Sequence, residues 1–390
     1  MEFSVDQQYR LNRLVLSIYG LWPYHNRTTD ARIKRVIAIL LMFYITFIQV
    51  TKICMTELTA NFILDVLPIL IPSAGVIIQI INRIIINDEL RNLFDQIKID
   101  WESVRSQHEI EIMQRSVKNA LLTTKVVLLD MFIGMTLYML TTFSPQILDV
   151  LLPLNESRPW EHPFHVEFFF LDNERDLYII RFILYFGAVF GLGVILANGS
   201  IFVIYTQHAT GMFTILGHRA KQTFSDEQLP NSQFIHEKDY KSIALFVEDH
   251  RSILQFVDMV RSCYGSSLFL EFFSLMILLG TTMVQIIKFS GMSDRPMRSA
   301  AYVTGQIMYM FMYSYMGQQL IDKSSQLSMK IYSVRWQSIA VCKQKMMLFV
   351  MLKCMHTITI NAYNIFYLSL ESFSSIVQSA MSVCMLLRQV

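Results

Sequence analysis

Glu371, Ser375, Gln378, Ser382, Leu386 and Gln389 are the residues whose types and spacing promise chemistry. Counted from Glu371 they stand at offsets of 0, 4, 7, 11, 15 and 18, which places them within about 80° of one another on a helix turning 100° per residue. The stripe is polar except at Leu386, and the opposite side carries Phe373, Ile376, Ala380, Cys384 and Leu387. A greasy helix with one wet face is what a water-filled pathway through lipid needs, and Glu371 is placed to draw cations into it. One such helix lines only a sector of a pore, so several copies must meet around an axis. The alternative is that the serines pack against a neighbouring span inside a helix bundle. The stripe alone leaves both readings open.

Asp65, Asp130 and Glu271 also fall inside apolar runs, where an ionisable group is expensive. Asp130 follows Lys125 by five residues, which suggests a local pair, while Asp65 and Glu271 are expected to face neighbours across a bundle. The cysteines (Cys54, Cys263, Cys342, Cys354, Cys384) form no CxxC pair and no metal-ligand spacing with histidines. They read as small buried hydrophobes, with neither a disulfide framework nor a metal site expected. His162 and His165 flank Pro163 without a third ligand and read as loop residues. There is no GxSxG, HExxH, P-loop or Gly-rich dinucleotide turn, so no enzyme and no cofactor is expected.

The elements that must hold the stripe follow from composition. Of 390 residues, 53% are apolar and only 16% charged, which excludes an ordinary soluble domain and implies an all-α, polytopic membrane protein. Seven nearly uncharged runs are long enough to cross a bilayer as helices, near 36–51, 58–82, 126–148, 178–205, 263–287, 299–321 and 357–387. Pro68 and Pro72 predict a kink in the second. The segment 1–13 is polar and lacks a signal-peptide pattern, so the first span serves as the insertion signal.

Lys and Arg fix the orientation. Each of the four segments on the N-terminal side of the membrane carries six of them, whereas the other side carries eight altogether. The positive-inside rule then places the N-terminus in the cytoplasm and the C-terminus outside. The same map accounts for the basic residues, so no nucleic-acid surface is expected. The acidic third loop contains the sequon Asn155-Glu156-Ser157, the expected glycosylation site on the outer side, while those at Asn26 and Asn198 are expected to be silent. From Ile243 an apolar face runs through Phe246, Val247, His250, Leu254, Val257 and Val260, an amphipathic helix continuing the fifth span into the cytoplasm. With similar extensions within 88–118 and 329–353, parts of 239–262 form a cytoplasmic helical platform, either shared between subunits or capping their own chain.

Three stretches carry a resemblance. Gly20-Leu21-Trp22-Pro23 precedes the first span. The run Tyr313-Ser314-Tyr315-Met316-Gly317-Gln318-Gln319-Leu320-Ile321 ends the sixth and is followed by Ser324-Ser325, Ile331-Tyr332 and Trp336. Tyr367-Leu368-Ser369-Leu370-Glu371-Ser372-Phe373 opens the last, which closes on Leu386-Leu387-Arg388-Gln389. In this order, on an inverted seven-span chain, they resemble the insect odorant receptors. The resemblance implies a tetramer of a tuning subunit with the odorant co-receptor, in the plasma membrane of the olfactory neuron dendrite. It also implies a central non-selective pore for monovalent and divalent cations, lined by the outer half of the last span. Leu386 then aligns with the family's aliphatic gate and Gln389 with its polar neighbour. Ser382-Val383-Cys384 departs from the pattern, since an aromatic commonly follows the polar residue. The long cytoplasmic insertion of the co-receptor is absent, which points to a tuning subunit.

The implied ligand pocket lies in the outer half of the bundle between the second, third, fourth and sixth spans. At that depth this chain has Leu67, Leu70 and Ile71, then Met131, Gly134 and Tyr138, then Tyr185 and Val189, then Tyr302, Gln306 and Tyr309. Gly134 and Tyr138 match a small-then-aromatic spacing of the family, and the others rest on depth. A mostly apolar pocket with a few tyrosine hydroxyls suits a small volatile or hydrophobic odorant and broad tuning. The competing expectation is a seven-span signalling receptor for a hydrophobic ligand, without a pore of its own.

Overall fold

The computed structural model describes residues 8–25, 28–143, 149, 175–224, 237–288, 294–363 and 365–388. The helices are α1 (Arg10–Ile18), α2 (Thr29–Met55), α3 (Ala60–Ile85), α4 (Asn87–Glu102) and α5 (Gln107–Thr142), then α6 (Leu177–Phe224), α7 (Glu237–Lys288), α8 (Asp294–Tyr332), α9 (Val341–Cys354) and α10 (Leu370–Arg388). A two-residue antiparallel hairpin, β1 (Asn361–Ala362) with β2 (Phe366–Tyr367), precedes α10. The starts of α2, α3 and α5 are set by hydroxyl caps: the side chains of Thr28, Thr59 and Ser106 each accept from the backbone N–H three residues on. Among the described residues, α2, α3, α5, α6 and α7 are long and apolar enough to cross a membrane. Their outward faces carry exposed large hydrophobes such as Leu40, Phe43, Phe132, Phe182 and Phe273, which only a lipid environment can cover along so much of the bundle. α6 is the central helix: from Val194 to Phe213 every residue is buried or nearly so, the mark of a helix packed on all sides.

α7 and α8 run without a break for 52 and 39 residues, longer than a bilayer needs. On the extension of α7, Ile243, Phe246, His250, Val257 and Val260 are buried, while Val247 turns outward. A network ties the extension of α7 to α5 and α6. Arg219 of α6 grips Glu109 of α5 with two bonds, Nε–Oε1 at 2.8 Å and Nη2–Oε2 at 3.0 Å, and Asp249 of α7 through Nη1 at 2.8 Å. Its Nη2 also donates to the Ser103 carbonyl at 3.1 Å, and the Arg105 backbone N–H donates to Glu109 at 2.7 Å. Burial alone would push the Glu109 carboxyl up, but the Arg219 guanidinium and the Arg105 N–H overcome it and hold the group below its ordinary value.

Hydropathy carries the last span back to 357, yet α10 begins at Leu370. The apolar segment before it turns instead. Tyr363 adopts the left-handed conformation (φ 53°), the Leu368 N–H donates to the Ile360 carbonyl at 3.0 Å, and the Ser369 hydroxyl caps the new helix by accepting from Ser372 N at 3.1 Å. The hairpin rests on α8 at Gly317, where a Cβ would collide with the Leu368 carbonyl oxygen, so only glycine admits this approach. The expected Lys125–Asp130 pair is absent: Lys125 is exposed and Asp130 half-buried. Five residues put two side chains about 140° apart on a helix, too far round to meet. Cys263, Cys354 and Cys384 are buried as expected, but Cys54 and Cys342 are exposed.

Candidate functional site

Pro68 and Pro72 set up the polar chemistry of this part of the bundle. A proline has no N–H for the carbonyl four residues back, so these two leave the Leu64 and Pro68 carbonyls unpaired within a lipid-embedded helix. Side chains of other spans supply the missing donors. Gln285 of α7 donates through Nε2 to the Leu64 carbonyl at 2.7 Å, and the Tyr302 hydroxyl of α8 donates to the Pro68 carbonyl at 2.8 Å. Gln285 also contacts Asp65 Oδ1 at 3.3 Å and accepts from Ser299 at 3.0 Å, which explains the Asp65 carboxylate as part of the same junction.

Around this junction the expected pocket residues take up different places. Tyr138 of α5 lies within electrostatic reach of Tyr302 of α8 and of Tyr185 of α6, and it packs on the cluster of Ile48, Ile180 and Leu184. Leu67, Leu70, Ile71 and Met131 are half-buried on the neighbouring faces, and Gly134 borders open space, since a Cβ there would meet nothing within 4 Å. Gln306 is buried and accepts from Thr282 of α7 at 3.3 Å. Tyr309 belongs to a deeper layer: its hydroxyl lies 3.0 Å from Glu271 Oε2 and 3.2 Å from the Tyr313 hydroxyl. Val189 is 49% exposed. The buried sector of α6 runs through Leu184, Tyr185, Gly187 and Gly191, whereas Val189 shares the outer face with Phe182 and Phe186. Sequence depth missed Thr282 and Gln285 of the fifth span. The proline positions four residues from orphaned carbonyls were the available signal for Gln285.

On α10, Ile376, Ala380 and Cys384 are buried against the chain, and Phe373 meets the Phe311 ring at 5.7 Å. Glu371, Ser375, Gln378 and Ser382 are all exposed on the other side. The Ser382 hydroxyl is turned back onto the Gln378 carbonyl at 2.9 Å, which satisfies it within the helix. Leu386 lies in the last turn of α10, while Gln389 and Asn155 fall outside the described residues.

Residues 59–381 match the family model described as 7tm Odorant receptor. The chain belongs to the odorant receptor family. Among its relatives, odorant receptor 24a of Drosophila melanogaster is 22% identical over 97% of this chain and 95% of its own length. Odorant receptor 22b of the same fly is also 22% identical, but the match spans only 58% of this chain and 56% of that relative. The odorant receptor coreceptor of Anopheles gambiae is 24% identical over 38% of this chain and 31% of its own length. Among solved structures, the insect olfactory receptor OR5 from Machilis hrabei in complex with eugenol superposes with a TM-score of 0.79 over 98% of both chains at 13% identity. The odorant receptor is therefore an all-α membrane protein with the seven-span fold, in line with the sequence motifs and hydropathy.

Proposed function

We propose that this odorant receptor is the tuning subunit of an odour-gated, non-selective cation channel in the plasma membrane of an olfactory neuron dendrite. It assembles with the odorant co-receptor as a tetramer around α10, and it takes a small hydrophobic odorant among the tyrosines of α5, α6 and α8. The observation that carries the pore reading is the division of α10: an apolar side spent on the chain's own bundle, and a side of Glu371, Ser375, Gln378 and Ser382 left facing away from it. A polar face left exposed by the described residues of its own chain calls for water, other subunits, or both. The charge map supports a cytoplasmic N-terminus, with the Arg219 network and α9 in a platform on that side and Asn155 glycosylated on the other.

Odorant binding among the tyrosines shifts the equilibrium between closed and open arrangements of α10, with Leu386 as the constriction. Co-expression with the co-receptor and recording of odour-evoked current tests this reading. A Leu386→Ala channel should leak at rest, and unchanged basal and evoked currents would remove Leu386 from the gate. Glu371→Gln should lower the cation-to-anion permeability ratio, and an unmoved ratio would assign Glu371 to packing. Epitope tags on intact cells report the orientation, and an exterior N-terminus would overturn it.

A further inference from the structure

A second polar cluster lies deeper in the bundle, and neither the odorant pocket nor the pore uses it. Arg83, in the last turn of α3, is only 4% exposed. Its Nη1 donates to the Tyr264 hydroxyl at 3.1 Å, and its guanidinium stands 5.9 Å from the Tyr264 ring centroid. Its Nε and Nη2 are buried and meet no acceptor among the described residues. Arg83 lines a cavity of about 20 Å³ together with Gln79, Asn198, Ser267 and Glu271. Glu271 of α7 is the acidic side chain of that lining, and the Gln79 amide lies beside its carboxylate. Asn198 of α6 donates to Gln79 Oε1 at 3.0 Å.

An arginine stays charged in any protein setting. A buried guanidinium with two unsatisfied N–H groups and no counter-charge would be strongly unfavourable in a lipid-embedded bundle. The cavity is polar on several sides, and its size suits a single water, which needs roughly 10–15 Å³ and two to four partners. An anion is disfavoured there, because the Glu271 carboxylate would repel it. We propose that Arg83 and Glu271 form a water-bridged charge pair: a water accepts from Arg83 Nε or Nη2 and donates to the Glu271 carboxylate. This bridge joins α3 to α7 and, through the Tyr309 hydroxyl, to α8.

The test is a double-mutant cycle on the full-length receptor, followed by thermal unfolding in detergent, a readout that needs no channel activity. The charge pair therefore stands or falls separately from the channel reading. Arg83→Gln and Glu271→Gln should each lower the melting temperature by roughly 5–15 °C, since each strands one buried charge. The double variant should recover more than half of the summed loss, and if neither single variant folds, it should still give a folded, monodisperse receptor. Losses that simply add, or a double variant no better than the worse single, would overturn the pair. A high-resolution map of the receptor in lipid nanodiscs should show a density peak within hydrogen-bonding distance of both side chains. Direct contact between them, or no peak, would overturn the bridge.

Discussion

Replacing Tyr302 by phenylalanine removes one hydroxyl and leaves the ring, so its effect reads the bond to the Pro68 carbonyl together with the hydroxyl's contact to Gln306. That carbonyl has no helical partner because Pro72 lacks the N–H that would reach it, and the Tyr302 hydroxyl supplies the donor in its place. Hydrogen bonds between spans contribute about 0.6–2 kcal/mol, and stranding a buried acceptor about 1–3 kcal/mol, so a loss of about 1–2 kcal/mol is expected. That is roughly a 5- to 30-fold change in the folded-to-unfolded ratio. Unfolding of the purified receptor by SDS in mixed micelles measures it. The decisive comparison is the same substitution in a Pro72→Ala background, where the restored N–H at position 72 satisfies the carbonyl from within α3. There Tyr302→Phe should cost only the contact to Gln306, or even stabilise by removing a hydroxyl left without its acceptor. An equal loss in both backgrounds would refute the reasoning, because the hydroxyl would then be working elsewhere.

Arg219→Met should destabilise the receptor by about 3–5 kcal/mol, because it strands Glu109 and Asp249, and Arg219→Lys should rescue little since a lysine cannot make the two-pronged bond; both are read by thermal unfolding. Stability should fall on acidification in two windows. Burial pushes the His250 imidazole down, so the unfolded chain takes up its proton first and stability declines as pH drops below about 6.5. Glu109 is held low when folded, so its contribution is complete above about 4.5 and disappears as pH falls through its folded value; melting curves from pH 7 to 3.5 follow both, and Arg219→Met should abolish the lower one. Gly317→Ala should abolish the odour-evoked current or prevent folding, since its Cβ would collide with the Leu368 backbone, whereas Gly280→Ala and Gly305→Ala, with nothing within 4 Å, should behave as wild type in surface expression and current.

What sequence could show here was governed by range. The amphipathic extension of α7 was legible because its apolar residues repeat within one helix, and the two faces of α10 for the same reason. The hairpin at 361–367 hid inside an apolar run: hydropathy measures greasiness and is blind to the left-handed turn at Tyr363 and the cap at Ser369. Depth in the membrane can be counted along a span, but azimuth cannot, so Tyr185 faces the bundle while Val189, four residues on, looks outward. The Arg219–Glu109 bond joins residues 110 apart, and no local pattern announces it. The same holds for Arg83 and Tyr264, 181 apart, whose meeting is a product of the fold alone.

The length of α7 has a mechanical consequence. Its 52 residues make a rod about 78 Å long, against a hydrocarbon layer of about 30 Å. More than half of the rod therefore projects beyond the lipid. A rotation of about 3° about its membrane end would carry the far tip through about 4 Å, about three-quarters of the rise of a helical turn. A displacement too small to notice beside the tyrosines thus becomes a large one where Asp249 meets Arg219 and Arg105, and that junction is where such a lever would first be felt.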